Sequence, residues 1–202
     1  MSTVSSASAD LFGAPELPGL VYAESLLSDA EERALIERIN TYELTPFRFQ
    51  GWLGKRLTVT FGWSYDFEAA TFGRRSPIPE EFHPIRERAA SFAGLCPDAL
   101  EQLLLTRYDV GAGIGWHRDR PVFEQVIGIS LGASAPMRFR RRLEEGFERR
   151  TIPLAPRSIY VMSGEARHDW EHSIGELRAP RWSITFRTLS EKGRAKAGQR
   201  SV

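Results

Sequence analysis

The chain has 202 residues, 42% of them hydrophobic and 26% charged, which suits one globular domain and excludes a disordered, collagenous or coiled-coil chain. Lys plus Arg number 27 against 26 Asp plus Glu, so no field of one sign marks the whole molecule for nucleic acid or membrane. The single cysteine, Cys96, excludes an internal disulfide and a cysteine metal cluster; with no signal-peptide pattern and no apolar run near the roughly 18–20 residues of a membrane span, a cytoplasmic chain without a membrane segment is expected.

Residues 1 to about 17 are rich in Ser, Ala and Gly and lack periodicity, so a flexible tail is expected there. Residues 18–190 read as a single domain, and 191–202, with Lys192, Arg194, Lys196 and Arg200, as a basic flexible end. Ser28 and Glu31 have capping-box spacing, and Leu35, Ile36 and Ile39 then share a face, so a helix is predicted over about 29–41. A second is predicted from Pro79 to Leu95, with Phe82, Ile85, Ala89 and Phe92 on one side. From Glu101 to Leu189 the pattern changes to short strands: Leu103 to Val110, Val126 to Leu131, Met137 to Arg141, Arg149 to Leu154, Ser158 to Met162 and Trp182 to Leu189, separated by Gly and Pro. The fold expected is mainly β with flanking helices, an antiparallel double sheet of jelly-roll or barrel kind. The absence of a P-loop and of Gly-x-Gly-x-x-Gly disfavours phosphate-cradle enzymes.

The chemistry centres on Gly115-Trp116-His117-Arg118-Asp119. In extended backbone, residues two apart project to one face, so His117 and Asp119 can grip one ion. A third ligand must come from a distant segment, and His172 ends His168-Asp169-Trp170-Glu171-His172. His168, four residues earlier, is the competing choice, but the Glu that follows the first His in the zinc-protease pattern is here Asp169. Two imidazoles and one carboxylate leave open positions of the kind that non-haem Fe(II) oxygenases use. Arg181-Trp182-Ser183-Ile184-Thr185-Phe186-Arg187 alternates strictly, with Arg181, Ser183, Thr185 and Arg187 on one face. Two arginines turned into a barrel would be costly unless they met anions, and a dicarboxylate bound at one end to the metal would satisfy both. The competing reading is an outer strand with solvated arginines.

Tyr108-Asp109-Val110-Gly111-Ala112-Gly113-Ile114-Gly115-Trp116-His117-Arg118-Asp119, the segment Ser163 to His172, and Arg181 to Arg187, in this order, resemble the AlkB family of Fe(II)- and 2-oxoglutarate-dependent dioxygenases, firmly over about 104–187. The resemblance implies a double-stranded β-helix (jelly-roll) core, with His117, Asp119 and His172 as iron ligands. It implies Arg187 beside the metal-side carboxylate of 2-oxoglutarate, Arg181 on the distal carboxylate, and Tyr108 bonding the same co-substrate. Thr106 stands where the best-known bacterial member has an asparagine beside the co-substrate, and Pro121 where that member has an acidic residue for base recognition. The implied reagents are Fe(II), 2-oxoglutarate and O2, and the implied activity is oxidative demethylation of alkylated DNA or RNA. Two alternatives remain open. The same chemistry could hydroxylate a tRNA modification or a protein side chain; a non-catalytic jelly-roll binding module is the other, against which the arginine pair argues. No obligate protein partner is evident.

The family's substrate lid would fall at about 43–76, where nine of the 22 aromatics lie between Tyr42 and Phe72. Phe47, Phe49, Trp52, Lys55, Arg56 and Tyr65 are the candidate substrate contacts, since aromatics stack on bases and cations track phosphates. Leu57, Val59, Phe61, Trp63, Tyr65 and Phe67 also fall on every second position, as a sheet's core face would. Arg118 and Arg120 flank the metal motif and could meet substrate phosphate. Arg138, Arg140, Arg141, Arg142, Arg149 and Arg150 form a second basic cluster, readable as a phosphate contact or as charges balanced by Glu144, Glu145 and Glu148.

Overall fold

A computed structural model of the chain describes residues 17–49, 52–66 and 70–198, with backbone alone at 48–49 and 52–53. The expected tail over 1–17 therefore lies almost wholly outside the described residues, as do residues 199–202 of the expected C-terminal tail.

Two antiparallel sheets carry the site. Strands β1 (Leu20–Ala23), β2 (Thr45–Phe49), β3 (Trp52–Asp66), β4 (Thr71–Arg74), β5 (Gln102–Tyr108), β7 (Phe123–Gly132), β10 (Ile159–Met162) and β12 (Arg181–Leu189) form the larger one. Its order is β1-β10-β7-β12-β5-β3-β2, with β4 paired to β3. Strands β6 (Ile114–His117), β8 (Ala135–Arg142), β9 (Phe147–Leu154) and β11 (Glu171–Ile174) form the smaller, in the order β6-β11-β8-β9. This is the jelly-roll core that the strand spacing predicts.

Strand parity decides what each face of the larger sheet meets. Leu103, Leu105, Ile127, Ile129, Leu131, Ile159, Val161, Ile184 and Phe186 point to one face and pack with Ile39, Phe82, Ile85 and Ala89. Those partners come from helix α1 (Asp29–Asn40), from α2 (His83–Phe92) and from the 3-10 turn just before it, Glu80–Phe82. Helix α1 starts where the capping box predicts: the Ser28 N–H donates to Glu31 Oε2 at 2.7 Å, and the Glu31 N–H donates to Ser28 Oγ at 3.3 Å. Helix α2 is shorter than the predicted Pro79–Leu95, because Pro84 sits in its first turn and Gly94 follows its end with φ +66°. The opposite face of the larger sheet meets the smaller sheet through Tyr108, Val126, Met137, Phe139, Tyr160 and Met162.

Two segments carry regular structure. The segment expected to be a lid over 43–76 is mostly sheet: β3 pairs with β5 from Leu57↔Arg107 to Gly62↔Gln102. Its alternation also breaks at Gly62, which takes a left-handed φ of +75°. Phe61 therefore enters the helix-side core, while Trp63, Tyr65 and Phe72 join a third cluster with Val122, Phe123 and Leu189. The end expected to be flexible carries helix α4 (Glu191–Gly198), after the short α3 (Gly164–His168). Ser190 Oγ accepts the Gly193 N–H at 3.1 Å, and Ala197 packs on the third cluster, which anchors the helix despite its charge.

A Cβ on Gly62 would lie 2.1 Å from the Glu101 carbonyl oxygen. Gly62→Ala is expected to cost about 3 kcal/mol from left-handed strain and overpacking together, measured as a shift in the urea unfolding midpoint at constant slope.

Candidate active site

The polar face of β12 looks between the two sheets, and the register places its neighbours in rows. Arg181 stands opposite Tyr108 on β5 and Gly132 on β7; Ser183 opposite Thr106 and Ser130; Thr185 opposite Leu104 and Gly128; Arg187 opposite Gln102 and Val126. A cavity on this face is lined by Arg56, Thr106, Tyr108, Arg181, Ser183, Thr185 and Arg187 from the larger sheet. His117, Asp119, Met137, His172 and Ile174 complete the wall from the smaller sheet and the segment after β6. Gly128 has a specific task here: the Tyr160 ring crosses the space a Cβ would fill, at 2.2 Å from that position, and so lines the cavity. Burial pushes the Tyr160 phenol up to about 12, so it stays a neutral wall group.

His117 and His172 are cross-strand partners on β6 and β11, with ring centroids 4.2 Å apart. His117 Nδ1 lies 2.9 Å from the Gly115 carbonyl oxygen, an arrangement that assigns the proton to Nδ1 and leaves Nε2 as the acceptor. Burial lowers the pKa of both rings; His172, next to the first imidazole as well, is pushed down to about 3. Both rings are therefore neutral with a free lone pair near neutral pH. Burial pushes Asp119 up, but the Arg187 guanidinium and the two imidazoles outweigh it and hold the carboxyl well below its usual range. Arg187 Nε and Nη2 donate to the two Asp119 carboxylate oxygens at 3.3 and 3.1 Å, and its Nη1 donates to Gln102 Oε1 at 2.7 Å. The carboxylate is turned onto Arg187, and no three His, Cys, Asp or Glu side chains among the described residues stand in one metal-sized group. The donor set itself, two neutral imidazoles and an ionised carboxylate on one cavity, suits a divalent iron.

Arg181 is 1% exposed. Its Nε donates to Ser130 Oγ at 3.1 Å and its guanidinium lies 5.1 Å from the Tyr108 ring centroid, but its Nη1 is buried without a hydrogen-bond partner. A buried cation with an unused donor is a site for an anion. Arg56, from β3, reaches the same cavity, bonds Tyr108 and lies 4.1 Å over the Phe47 ring. The lining thus holds two more positive charges than negative ones, the complement of a dicarboxylate.

Of the residues the sequence singles out, His117, Asp119, His172, Arg181, Arg187, Tyr108, Thr106 and Arg56 line one cavity. The others lie elsewhere. Lys55 pairs with Glu176 at 3.2 Å on the surface. Tyr65 packs on the third cluster, with Arg120 4.6 Å over its ring. Arg118 donates to the His168 carbonyl at 3.1 Å. The side chains of Phe49 and Trp52 lie outside the described residues. His168 is turned away from the cavity, its Nε2 2.7 Å from Glu124, which supports the choice of His172 over it. Sequence reasoning missed Gln102 and Ser130 as partners of the arginines; alternation on β5 and β7 was the signal that could have found them. It also missed Arg167, 4% exposed, which donates to the Arg120 and Phe123 carbonyls at 2.9 and 2.7 Å and so fixes the loop that follows Asp119.

Residues 19–187 match the family model described as the 2OG-Fe(II) oxygenase superfamily. The tRNA (carboxymethyluridine(34)-5-O)-methyltransferase ALKBH8 of Mus musculus is 34% identical over 164 residues, covering 78% of this chain and 24% of that protein. The alpha-ketoglutarate-dependent dioxygenase AlkB of Escherichia coli K12 is 28% identical over 126 residues, covering 57% of each. The structure of OsALKBH1 superposes with a TM-score of 0.67 at 18% identity, over 86% of this chain and 98% of that one, which shows a shared fold. The chain spans about a quarter of the length of the animal ALKBH8 relatives it matches.

Arg181→Met removes a buried cation with an unmet donor, so the unfolding free energy is expected to stay within about 1 kcal/mol of wild type or rise. 2-Oxoglutarate binding, measured by calorimetry with the metal present, should weaken roughly 100-fold. A loss of stability above about 3 kcal/mol would mark Arg181 as structural instead.

Proposed function

We propose that this chain, which belongs to the AlkB family within the 2OG-Fe(II) oxygenase superfamily, oxidises a C–H bond on a base of nucleic acid and, where that bond is on an N-methyl group, demethylates the base. The chain is a 2-oxoglutarate-dependent dioxygenase by family, with Fe(II), 2-oxoglutarate and O2 as its reagents. The observation that supports the dioxygenase chemistry is a cavity that combines two neutral imidazoles and a carboxylate with an excess of buried guanidinium, Nη1 of Arg181 still unpaired, and the tRNA in the mouse relative's name points the substrate to nucleic acid.

His117, Asp119 and His172 would hold the iron. Bound Fe(II) supplies the O2 chemistry, in which 2-oxoglutarate becomes succinate and CO2 while a C–H bond becomes a C–OH bond. The chain's own side chains do the remaining work. Arg181 offers its free Nη1 to the distal carboxylate of 2-oxoglutarate, with Tyr108 and Thr106 beside it in the register rows. Arg187, already braced by Gln102, holds Asp119 and meets the metal-side carboxylate. Tyr160 and Met162 close the cavity wall against water. An N-hydroxymethyl product then loses formaldehyde, which restores the unalkylated base.

A second reading is favoured by one observation. The mouse relative at 34% identity is named for carboxymethyluridine of tRNA, and Arg56 adds a third guanidinium to the cavity wall, a group suited to an acceptor-rich base substituent. On this reading the product is a hydroxylated tRNA base and no formaldehyde appears.

The test is reconstitution with Fe(II) and 2-oxoglutarate, then admission of O2 with methylated DNA, methylated RNA and tRNA. Formaldehyde equal to succinate is expected from a methylated oligonucleotide. Succinate without formaldehyde, from tRNA, would replace demethylation by hydroxylation. His117→Ala is expected to abolish succinate formation while leaving the circular-dichroism spectrum and melting temperature unchanged; retained turnover would overturn the ligand assignment.

A further inference from the structure

The smaller sheet has two faces, and the cavity uses one. Alternation on β8 and β9 sorts six arginines between them. Arg141 and Arg150 share the inward parity of Phe139 and are neutralised: Glu148 binds them at 2.7 and 2.6 Å, and Glu165 also binds Arg141 at 2.7 Å. Arg138, Arg140, Arg142 and Arg149 point outward. Among the described residues, Glu171, 2.7 Å from Arg140, is the carboxylate that pairs with any of these four, and Glu144 and Glu145 at the hairpin turn make no ion pair with them.

The outward four are also fixed in place. Arg140 stands directly opposite Arg149 in the register, an arrangement of like charges that destabilises a sheet unless something offsets it. Aromatic rings hold the guanidiniums: Arg140 lies 4.5 Å over Trp116 and 4.7 Å from Phe147, while Arg138 lies 5.3 Å from Trp116. Arg142 and Arg149 flank Phe147 at 5.2 and 5.5 Å. The result is a flat face with a surplus of three cations, interleaved with aromatics, of the composition that single-stranded nucleic acid recognises.

Its position completes the argument. Strand β6 is the edge of this sheet, and neighbouring residues on it face opposite ways: His117 into the cavity, Trp116 onto the arginine face. A strand with one base in the cavity can continue over this edge and lie along the row Arg138, Arg140 and Arg142, whose members are roughly 7 Å apart. We propose that the outer face of the smaller sheet binds the sugar–phosphate backbone of a single-stranded polynucleotide, beside the base being oxidised. This rests on the reading that nucleic acid is the substrate.

The test uses the full chain, fluorescein-labelled single-stranded DNA and RNA 12-mers of roughly equal charge, and anisotropy titrations across a salt series. Wild type and the double variant Arg142→Ala/Arg149→Ala are compared; both residues are exposed and free of ion pairs among the described residues, so melting temperatures should match. The variant is expected to bind roughly tenfold more weakly, with the slope of log K against log salt shallower by about 1.4, since each lost single-strand phosphate contact removes about 0.7. Unchanged affinity and slope would overturn the proposal, as would polyglutamate competing as well as the unlabelled oligonucleotide. Succinate yield measured in parallel separates this proposal from the functional reading. Succinate with an unchanged binding slope sinks the arginine face alone; strand binding with the expected slope but no succinate sinks the catalytic reading and leaves the face standing.

Discussion

Two guanidiniums sit inside the protein between packed sheets, and every polar feature around them follows from what it costs to put them there. A buried cation is tolerated only with acceptors in good geometry. Arg187 finds them inside the chain, in both oxygens of Asp119 and in Gln102. Arg181 finds Ser130 and the face of Tyr108, and one donor is left over. The same electrostatics settle the protonation states: positive neighbours keep Asp119 ionised, and burial keeps both histidines neutral. A pocket built this way is set for a dianion before any ligand arrives.

The larger sheet makes this arrangement affordable because most of its other face is apolar. Leu103, Leu105, Ile127, Ile129, Ile184 and Phe186 bury against α1 and α2, supplying the hydrophobic stabilisation that offsets a polar face on the same strands. Small residues then shape the polar side. Gly128 yields its Cβ space to Tyr160, and Ser130, Ser183 and Thr185 keep the rows low enough for a cavity to exist between two sheets.

Much of this was legible in the residues, and the legible part shares a cause. Strand β12 alternates without a break, so which side chains of Arg181 to Arg187 go inward follows from parity alone. The same holds for His117 and for Tyr108 with Thr106. The aromatic stretch was not legible because one glycine reverses parity: before Gly62 the strand's apolar residues serve the helix side, and after it Trp63 and Tyr65 serve the third cluster. Helix α4 was hidden for another reason. Its sequence is charged and weakly amphipathic; Ser190 caps it locally, but Ser190 also donates to the Pro121 carbonyl and Ala197 packs on the third cluster, contacts made across the chain. Alternation sorts the six arginines of β8 and β9 by face, but which of them are neutralised depends also on Glu165 and Glu171, which are distant in sequence.

Strand β12 lies in the middle of the larger sheet, between β7 and β5, yet it follows every other described strand in sequence. During synthesis β5 and β7 therefore emerge long before the strand that pairs with both. Until residues 181–189 leave the ribosome, each presents an unpaired edge to the solvent, the state in which β-rich chains are most open to association. The pairings that close the sheet span the sequence from β5 to β12 and from β1 to β10, so closure is a late, long-range event and folding is expected to be slow for the chain's size. The strand that completes the fold is also the one that carries Arg181 and Arg187, so a chain interrupted before it has neither a closed sheet nor an anion site. A truncated product is thus inert by construction, and the burden of keeping it from aggregating falls on the chaperones that meet it.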